Sequence, residues 1–434
     1  MLKTSPFSRH LKTALLATAL TAGVCSPALA DKTKIKMLFW TFQPEAVQAF
    51  VNEFMQRNPD IEVQIEGVSS AEYNAKAALM FRSKTPFDVA YIRDTALPEW
   101  VSNGWVAPID DCAGVAEAKK NMLPLALQGQ TYQDHLYGLT YYTGIFPLIV
   151  NKSMLAKAGI DTLPTTFDGW FAAAKAVKDK GIVEYPMVFP IRSYGWGATY
   201  IWGAMAKAMG GKAFDNDFNP TPEGLAALTW WRKAFEAGLV NPASIEWGPA
   251  DAANVFVEGQ AAIQWSMLLY AGNAFANSEK SKVRGQVVLA KPPQTGQLVG
   301  QAAMYGINAQ SKNKEAACKL VTFLGTKDQS GQYATPKAWV KAATLTWGER
   351  GIEKDPDVRA AITGWGGDPD QIAQFLEDAT HLKDVLPYDR LWYTEWEDYS
   401  NKQLQEILIG RASVADGLKR MSDRARALDR RYKK

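Results

Sequence analysis

Ile35-Lys36-Met37-Leu38-Phe39-Trp40, Ile61-Glu62-Val63-Gln64-Ile65 and Phe87-Asp88-Val89-Ala90-Tyr91-Ile92 are three short runs whose spacing decides the fold. Between the first two, Pro44 opens a segment in which Val47, Phe50, Val51 and Phe54 recur every three or four residues. That period predicts a helix with one buried face. Asn58-Pro59-Asp60 stops it, because proline cannot donate the next helical bond and pushes its predecessor toward extended backbone. Ile61, Val63 and Ile65 then alternate as in a half-buried strand, residues 71–82 read as a second helix, and the third run is another strand. Strand, helix, strand, helix, strand predicts a doubly wound, mainly parallel sheet flanked by helices. Ligands of such sheets sit beyond the carboxyl ends of the strands, here Trp40 to Gln43 and Arg93-Asp94.

A second α/β unit starts near Phe146, where Phe146-Pro147-Leu148-Ile149-Val150 reads as a buried strand followed by a helix that Gly159 ends. Helices are expected over 167–180, 198–209 and 222–237, the last with Leu225, Leu228, Trp231 and Phe235 on one face, and a strand over 285–290. A chain of this length exceeds what one core usually organises. No low-complexity linker separates the halves, which suits two hinged lobes that exchange chain.

The first thirty residues differ in kind. Lys3, Arg9 and Lys12 precede an apolar run over 11–24, and Ala28-Leu29-Ala30 supplies a small-x-small site, so an export signal cleaved after Ala30 is expected. The run is too short for a transmembrane span. Val24 before Cys25 argues against a lipid anchor, leaving Cys25 to be discarded with the signal. The whole chain has 48 Lys and Arg against 45 Asp and Glu, and the leader holds three of the basic residues and none of the acidic ones, leaving 45 against 45. No basic excess remains to suit a nucleic acid. Two cysteines remain, Cys112 and Cys318; two buried free thiols are the expectation, with a single disulfide permitted by the compartment.

Several segments resemble the extracellular, periplasmic solute-binding proteins of ABC sugar importers, the family that includes the maltose-binding protein. Leu136-Tyr137-Gly138-Leu139-Thr140-Tyr141-Tyr142-Thr143-Gly144, running into Val150-Asn151-Lys152-Ser153-Met154-Leu155, is similar to the crossover between its lobes. Phe256-Val257-Glu258-Gly259-Gln260-Ala261-Ala262-Ile263 resembles its F-x-x-G-x-A-A segment, and Tyr305-Gly306-Ile307-Asn308-Ala309 with Ser311-Lys312-Asn313-Lys314-Glu315-Ala316-Ala317 its return strand and helix. Val385-Leu386-Pro387, Trp396 and Gly410-Arg411-Ala412-Ser413-Val414-Ala415-Asp416-Gly417-Leu418 are similar to its C-terminal helices. The resemblance implies the two-lobed, hinged type II fold of these receptors. It divides the chain into a leader (1–30), a first lobe (31–143 with 302–346) and a second (144–301 with 347–434). It further implies a periplasmic monomer that closes on a small carbohydrate and delivers it to membrane permease subunits, without cofactor or metal.

Fifteen tryptophans are the loudest compositional signal. Sugar C–H faces lie flat on indole and phenol rings, while their hydroxyls need carboxylates, amides or Arg. On that chemistry the candidates after the first and third strands are Trp40, Phe42, Gln43, Arg93 and Asp94, Asp94 alternatively being a helix cap. At the crossover they are Tyr141, Tyr142 and Thr143, with Gln301 at the return. The glycine-rich loop offers Arg192, Tyr194 and Trp196; further on lie Trp265, Tyr270 and Tyr388, with Trp392 a neighbour. By the resemblance, Trp396 takes the family's stacking position. Trp230, Trp231 and Trp339 read as core. Gly144 or its neighbours stand where the maltose-binding pattern has an acidic residue at the crossover, and Arg93 with Arg192 suits a modified or acidic sugar.

An enzyme is disfavoured, since no H-E-x-x-H, G-x-S-x-G or phosphate-binding glycine loop occurs. His135 and His381 read as surface or core. A polyamine receptor of the same fold is the nearer alternative, because aromatic boxes with carboxylates also hold ammonium groups.

Overall fold

The computed structural model describes residues 31–69, 72–193, 197–269, 281–328 and 330–433. The leader over 1–30 and the candidates Tyr194, Trp196 and Tyr270 lie outside the described residues.

The opening runs fold as their period demands. β1 (Thr33–Trp40) pairs parallel with β2 (Ile61–Val68) in full register from Thr33↔Ile61 to Trp40↔Val68, and with β3 (Val89–Arg93). The intervening helix Pro44–Arg57 carries proline in its first turn and buries Val47, Phe50, Val51 and Phe54. Around these strands grows a sheet ordered β13-β12-β3-β1-β2, in which β4 (Val106–Ala107) and β7 (Gly138–Ile145) also pair with β12. The pair β5 (Thr131–Tyr132) and β6 (His135–Leu136) stands apart. β8 (Leu148–Asn151), β9 (Met187–Val188), β10 (Ile263–Trp265) and β11 (Val287–Ala290) form a second sheet, ordered β11-β8-β10-β9.

Both sheets are mixed. The antiparallel pairs of the first are made by β12 (Val299–Asn308), which runs against β3, β4 and β7. In the second, β8 opposes both β10 and β11, and only β9 and β10 run parallel. The parallel pattern read from the first three strands therefore covers the βαβ units. The strands that carry the chain between sheets run outward from β7 into β8 and back from β11 into β12, so the outgoing and returning strands lie antiparallel in both sheets. A third passage returns to the first sheet at β13 (Thr380–His381), which pairs parallel with β12, before the helices Tyr393–Leu408 and Val414–Tyr432.

Cys112 and Cys318 form a disulfide with Cα atoms 5.5 Å apart and a sequence separation of 206. The expected free thiols are thus corrected in favour of the disulfide that the compartment permits. The bond ties the turn before the helix Val115–Asn121 to the helix Lys314–Gly325, two segments that meet on the flank of the first sheet only after the chain has visited the second. Among the described residues no helix is long and apolar enough to cross a membrane.

Candidate ligand-binding cleft

β3 ends at Arg93, a five-residue strand delivering its last side chain to the carboxyl edge of the first sheet. Arg93 Nη2 donates to the hydroxyl of Tyr200 at 3.1 Å. Tyr200 belongs to the helix Ala198–Ala208, beside the second sheet, and it is buried. The seam between the two sheets therefore has a polar floor. Glu397, on the helix Tyr393–Leu408, joins it from the second side, 3% exposed and with Oε1 lacking any hydrogen bond. Burial pushes the Glu397 carboxyl up to about 8, against the pull of Arg93 and the Tyr200 hydroxyl. Burial also opposes the charge on Arg93, yet Tyr200 and Glu397 outweigh it and raise its pKa. The Tyr200, Tyr388 and Tyr393 hydroxyls are pushed well up, first by burial and then by nearby charge. Tyr388 stacks near Tyr393 at 4.4 Å between ring centres and meets Tyr200 edge-on at 6.0 Å.

The first-sheet wall is aromatic. Trp40, last residue of β1, lies on Tyr91 at 5.5 Å and on Phe42 at 4.8 Å, the latter rings only 5° from parallel. Its indole N–H is buried without a hydrogen bond. Tyr91 approaches Tyr142 hydroxyl to hydroxyl at 3.4 Å, and burial raises the Tyr91 phenol to about 12. Tyr141 packs edge-on against Phe39 and Trp339 and is core in character. Thr143 is spent on structure: its hydroxyl donates to the Trp347 carbonyl at 2.8 Å. Gln301, opposite Gly144 in the β7–β12 pair, is buried with its amide oxygen unpaired. Gly144 itself leaves no room for a side chain, since a Cβ there would meet Met267 Sδ at 2.4 Å. Gln43 is exposed at the start of the following helix.

Asp94 acts as a fastener below this floor. One oxygen accepts the Thr95 N–H at 2.8 Å; the other accepts the Ala302 N–H at 2.7 Å and meets His381 Nε2 at 2.8 Å. Because His381 Nδ1 accepts the Lys383 N–H at 3.0 Å, Nε2 is the donor to Asp94. The carboxylate thus ties its own turn, Asp94–Ala96, to β12 and β13 of the first sheet. Asp94→Asn would turn an amide N–H either toward the Thr95 donor or toward the Ala302 and His381 donors together, and a loss of roughly 1–3 kcal/mol is expected. Denaturant unfolding of the variant measures it; an unchanged midpoint would reject the fastening role.

Two tryptophans face away from the seam. Trp265 is buried in the second-sheet core and donates its indole N–H to the Phe146 carbonyl at 3.0 Å. Trp396 is fully buried, donates to the Met421 carbonyl at 3.0 Å and packs edge-on against Phe214. Both bind the C-terminal or second-sheet core instead of presenting a ring to ligand. Trp392 likewise packs on Phe218, and Trp230, Trp231 and Trp339 are core as read. Adjacent helical residues point about 100° apart, so with Trp396 turned to the core it is Glu397 that faces the cleft. Arg192 faces Asp251 at 3.9 Å and lies against Gly248, where a Cβ would come within 2.7 Å of its guanidinium carbon. Among the described residues no cluster of His, Cys, Asp and Glu could hold a metal.

The profile of the family described as bacterial extracellular solute-binding protein matches residues 42–331. The maltotriose-binding protein of Pyrococcus abyssi is 23% identical over 391 residues, covering 80% of this chain and 78% of the relative. The galactooligosaccharide-binding protein of Bacillus subtilis is 24% identical over 315 residues, covering 69% and 68%. Among solved structures, the maltose-bound MalE3 of T. maritima superposes with a TM-score of 0.77 at 21% identity, covering 91% of this chain and all of the other. A solute-binding protein of Agrobacterium radiobacter K84 in complex with ribitol reaches 0.78 at 20% identity, covering 92% and 99%. These superpositions give the fold as that of the type II periplasmic binding proteins, and with the profile spanning two thirds of its length the chain belongs to the bacterial extracellular solute-binding protein family.

Proposed function

We propose that this protein is an exported receptor that binds a sugar or polyol between its lobes and passes it to the permease of an ABC importer. The observation that carries the reading is the Arg93, Tyr200 and Glu397 cluster, contributed from both sides of the seam and walled by Trp40, Tyr91 and Tyr388. It combines hydrogen-bonding groups for hydroxyls with flat rings for C–H faces. Maltotriose, galactooligosaccharide, maltose and ribitol, the ligands in the names of similar proteins, agree with that chemistry. Lobes assembled from 31–143 with 302–346 and from 144–301 with 347–434 would close because ligand touches both only when shut. Residues 1–30 would direct the chain to the periplasm. The family supports a binding role.

Thermal shift against a panel of neutral saccharides, polyols, sugar acids and spermidine tests the reading, since a ligand of the native state raises the melting temperature. At least one saccharide or polyol is expected to stabilise; a response to spermidine alone would replace the sugar with a polyamine. Arg93→Met should weaken the responding ligand about 100-fold by calorimetry, the loss typical of truncating one partner of a buried charged hydrogen bond. Unaltered affinity in that folded variant would remove Arg93 from the site.

A further inference from the structure

The helix Val414–Tyr432 buries one face, with Leu418, Met421, Ala425 and Leu428, within the protein. Its other face is basic. Lys419, Arg420, Arg430 and Arg431 are exposed, and Arg424 and Arg426 are half-buried. Residues 411–434 hold nine Lys and Arg against three Asp and Glu, whereas residues 31–410 hold 36 against 42. Charge that cancels over the chain from residue 31 onward is therefore divided between a positive C-terminal face and a negative remainder.

Two structural roles for these cations fall short. Complementing the helix dipole is an effect confined to the last turn, so it covers Arg430, Arg431 and Lys433 but not Lys419, Arg420, Arg424 or Arg426. Ion pairing is outnumbered. Asp423 is shared by Lys419 at 2.6 Å and Arg426 at 3.5 Å, Glu395 by Arg424 and Arg431, and Asp429 by Lys433 at 2.7 Å and Arg390 at 3.9 Å. Arg411 faces Glu406 at 3.3 Å. With the partners Glu395, Glu406 and Arg390 included, ten basic residues stand against five acidic ones. At the helix end Tyr432 is 45% exposed, and the Arg431 guanidinium lies over its ring at 5.0 Å. An exposed tyrosine among cations is the residue type that settles at a layer of lipid headgroups.

We propose that this face docks the protein, by charge, on a bilayer rich in anionic phospholipid. The apolar side of the helix is already buried within the protein, so the helix lies on the headgroups and does not insert. The opposite charge on the rest of the molecule orients it with this helix toward the membrane. Trp396, which donates to the Met421 carbonyl, and Glu397, which faces the cleft, are neighbours on the helix Tyr393–Leu408. The docking face thus lies one helix layer behind the cleft and leaves it open. For the receptor proposed above, docking holds it at the surface where a permease lies; that purpose rests on the receptor reading, and the lipid contact does not.

Sedimentation of the full mature chain with vesicles tests it, comparing phosphatidylcholine alone with an equal mixture of phosphatidylcholine and phosphatidylglycerol. At low salt the anionic vesicles are expected to take up the protein about tenfold more strongly or better, and salt at about 0.5 M should abolish the difference by screening. Arg420→Gln, Arg430→Gln and Arg431→Gln together should remove most of the uptake, each exposed base near an anionic surface contributing about fivefold. Lys120→Gln, Lys282→Gln and Lys312→Gln make the same change in net charge on other elements and should leave uptake within about twofold of the wild type. Equal uptake by neutral and anionic vesicles, uptake that outlasts salt, or equal losses in the two triple variants would overturn the docking face. A saccharide response in the thermal panel without vesicle uptake would do so too, and leave the receptor standing. Uptake without any saccharide response would uphold the face and remove the receptor.

Discussion

The melting temperature is expected to fall as the pH is raised from 5 to 9, opposite to the gain that salt-bridged surface carboxylates would give. Two buried carboxyls govern that window. Burial raises Glu397 to about 8 and Glu349 to about 7 from an ordinary 4.5, the latter against the Thr326 hydroxyl, which donates to it at 2.9 Å, and Tyr333. In the unfolded chain each carboxyl loses its proton near pH 4.5, whereas the folded protein keeps it until pH 7–8. Folding therefore takes up protons between those values, and the stabilisation, complete below pH 4.5, is lost as the pH rises through the folded pKa. At 1.36 kcal/mol per unit the two groups together account for a decline on the order of 7 kcal/mol between pH 5 and their folded values. Groups shifted the other way act elsewhere: against burial, Ser330, Gln332 and Arg57 hold Asp328 at about 2, so its contribution changes only in acid. Differential scanning calorimetry across the range, repeated with Glu349→Gln and Glu397→Gln, checks this. Each variant should flatten the decline; a wild-type midpoint that is level or rising to pH 9 would sink the assignment.

Removing the disulfide is the second large effect. Cys112 and Cys318, at a sequence separation of 206, close a long loop, and for loops of this length the chain-entropy account assigns about 5 kcal/mol to the restriction of the unfolded state. The Cys112→Ser, Cys318→Ser double variant should therefore unfold at clearly lower denaturant, and reducing agent should bring the wild type to the same midpoint. Equal midpoints with and without reductant would show that the bond contributes nothing net. Such a bond forms in an oxidising compartment, which agrees with the leader read at the N-terminus.

Much of the fold was legible because hydrophobic period translates directly into burial. The strands and helices read over 35–92, and the helices over 167–180, 198–209 and 222–237, recur in the structure within a few residues. Strand direction was not legible beyond the first units, because β7 and β12 are buried along their whole length and carry no alternation to reveal a partner. Among the residues gathered at the seam, Arg93 and Trp40 were singled out by their place at strand ends and Tyr142 by the resemblance of its segment to a crossover. Glu397 and Tyr200 were missed for opposite reasons. A carboxylate within a charged helix reads as solvated, and a tyrosine in the apolar stretch 198–209 reads as packing. Trp396 drew attention as the larger ring, although the indole N–H of a fully buried Trp needs a partner and here finds the Met421 carbonyl. Cys112 and Cys318 stand 206 residues apart, too far for spacing alone to join them.

The antiparallel pair β7 and β12 leaves the first sheet side by side, with Gly300 opposite Ile145 and the Phe146 N–H bonded to the Val299 carbonyl at 3.1 Å. Two strands fixed to each other in this way behave as a leaf spring. They flex readily about the axis that lies across both, and resist twist and shear, which would break the hydrogen bonds between them. In the proposed receptor this pair, together with the third passage at β13, would guide the closure of one lobe on the other. On the proposed function, much of the ordering entropy of aligning Arg93 with Glu397 would be met when the chain folds, leaving less to be met when a ligand arrives.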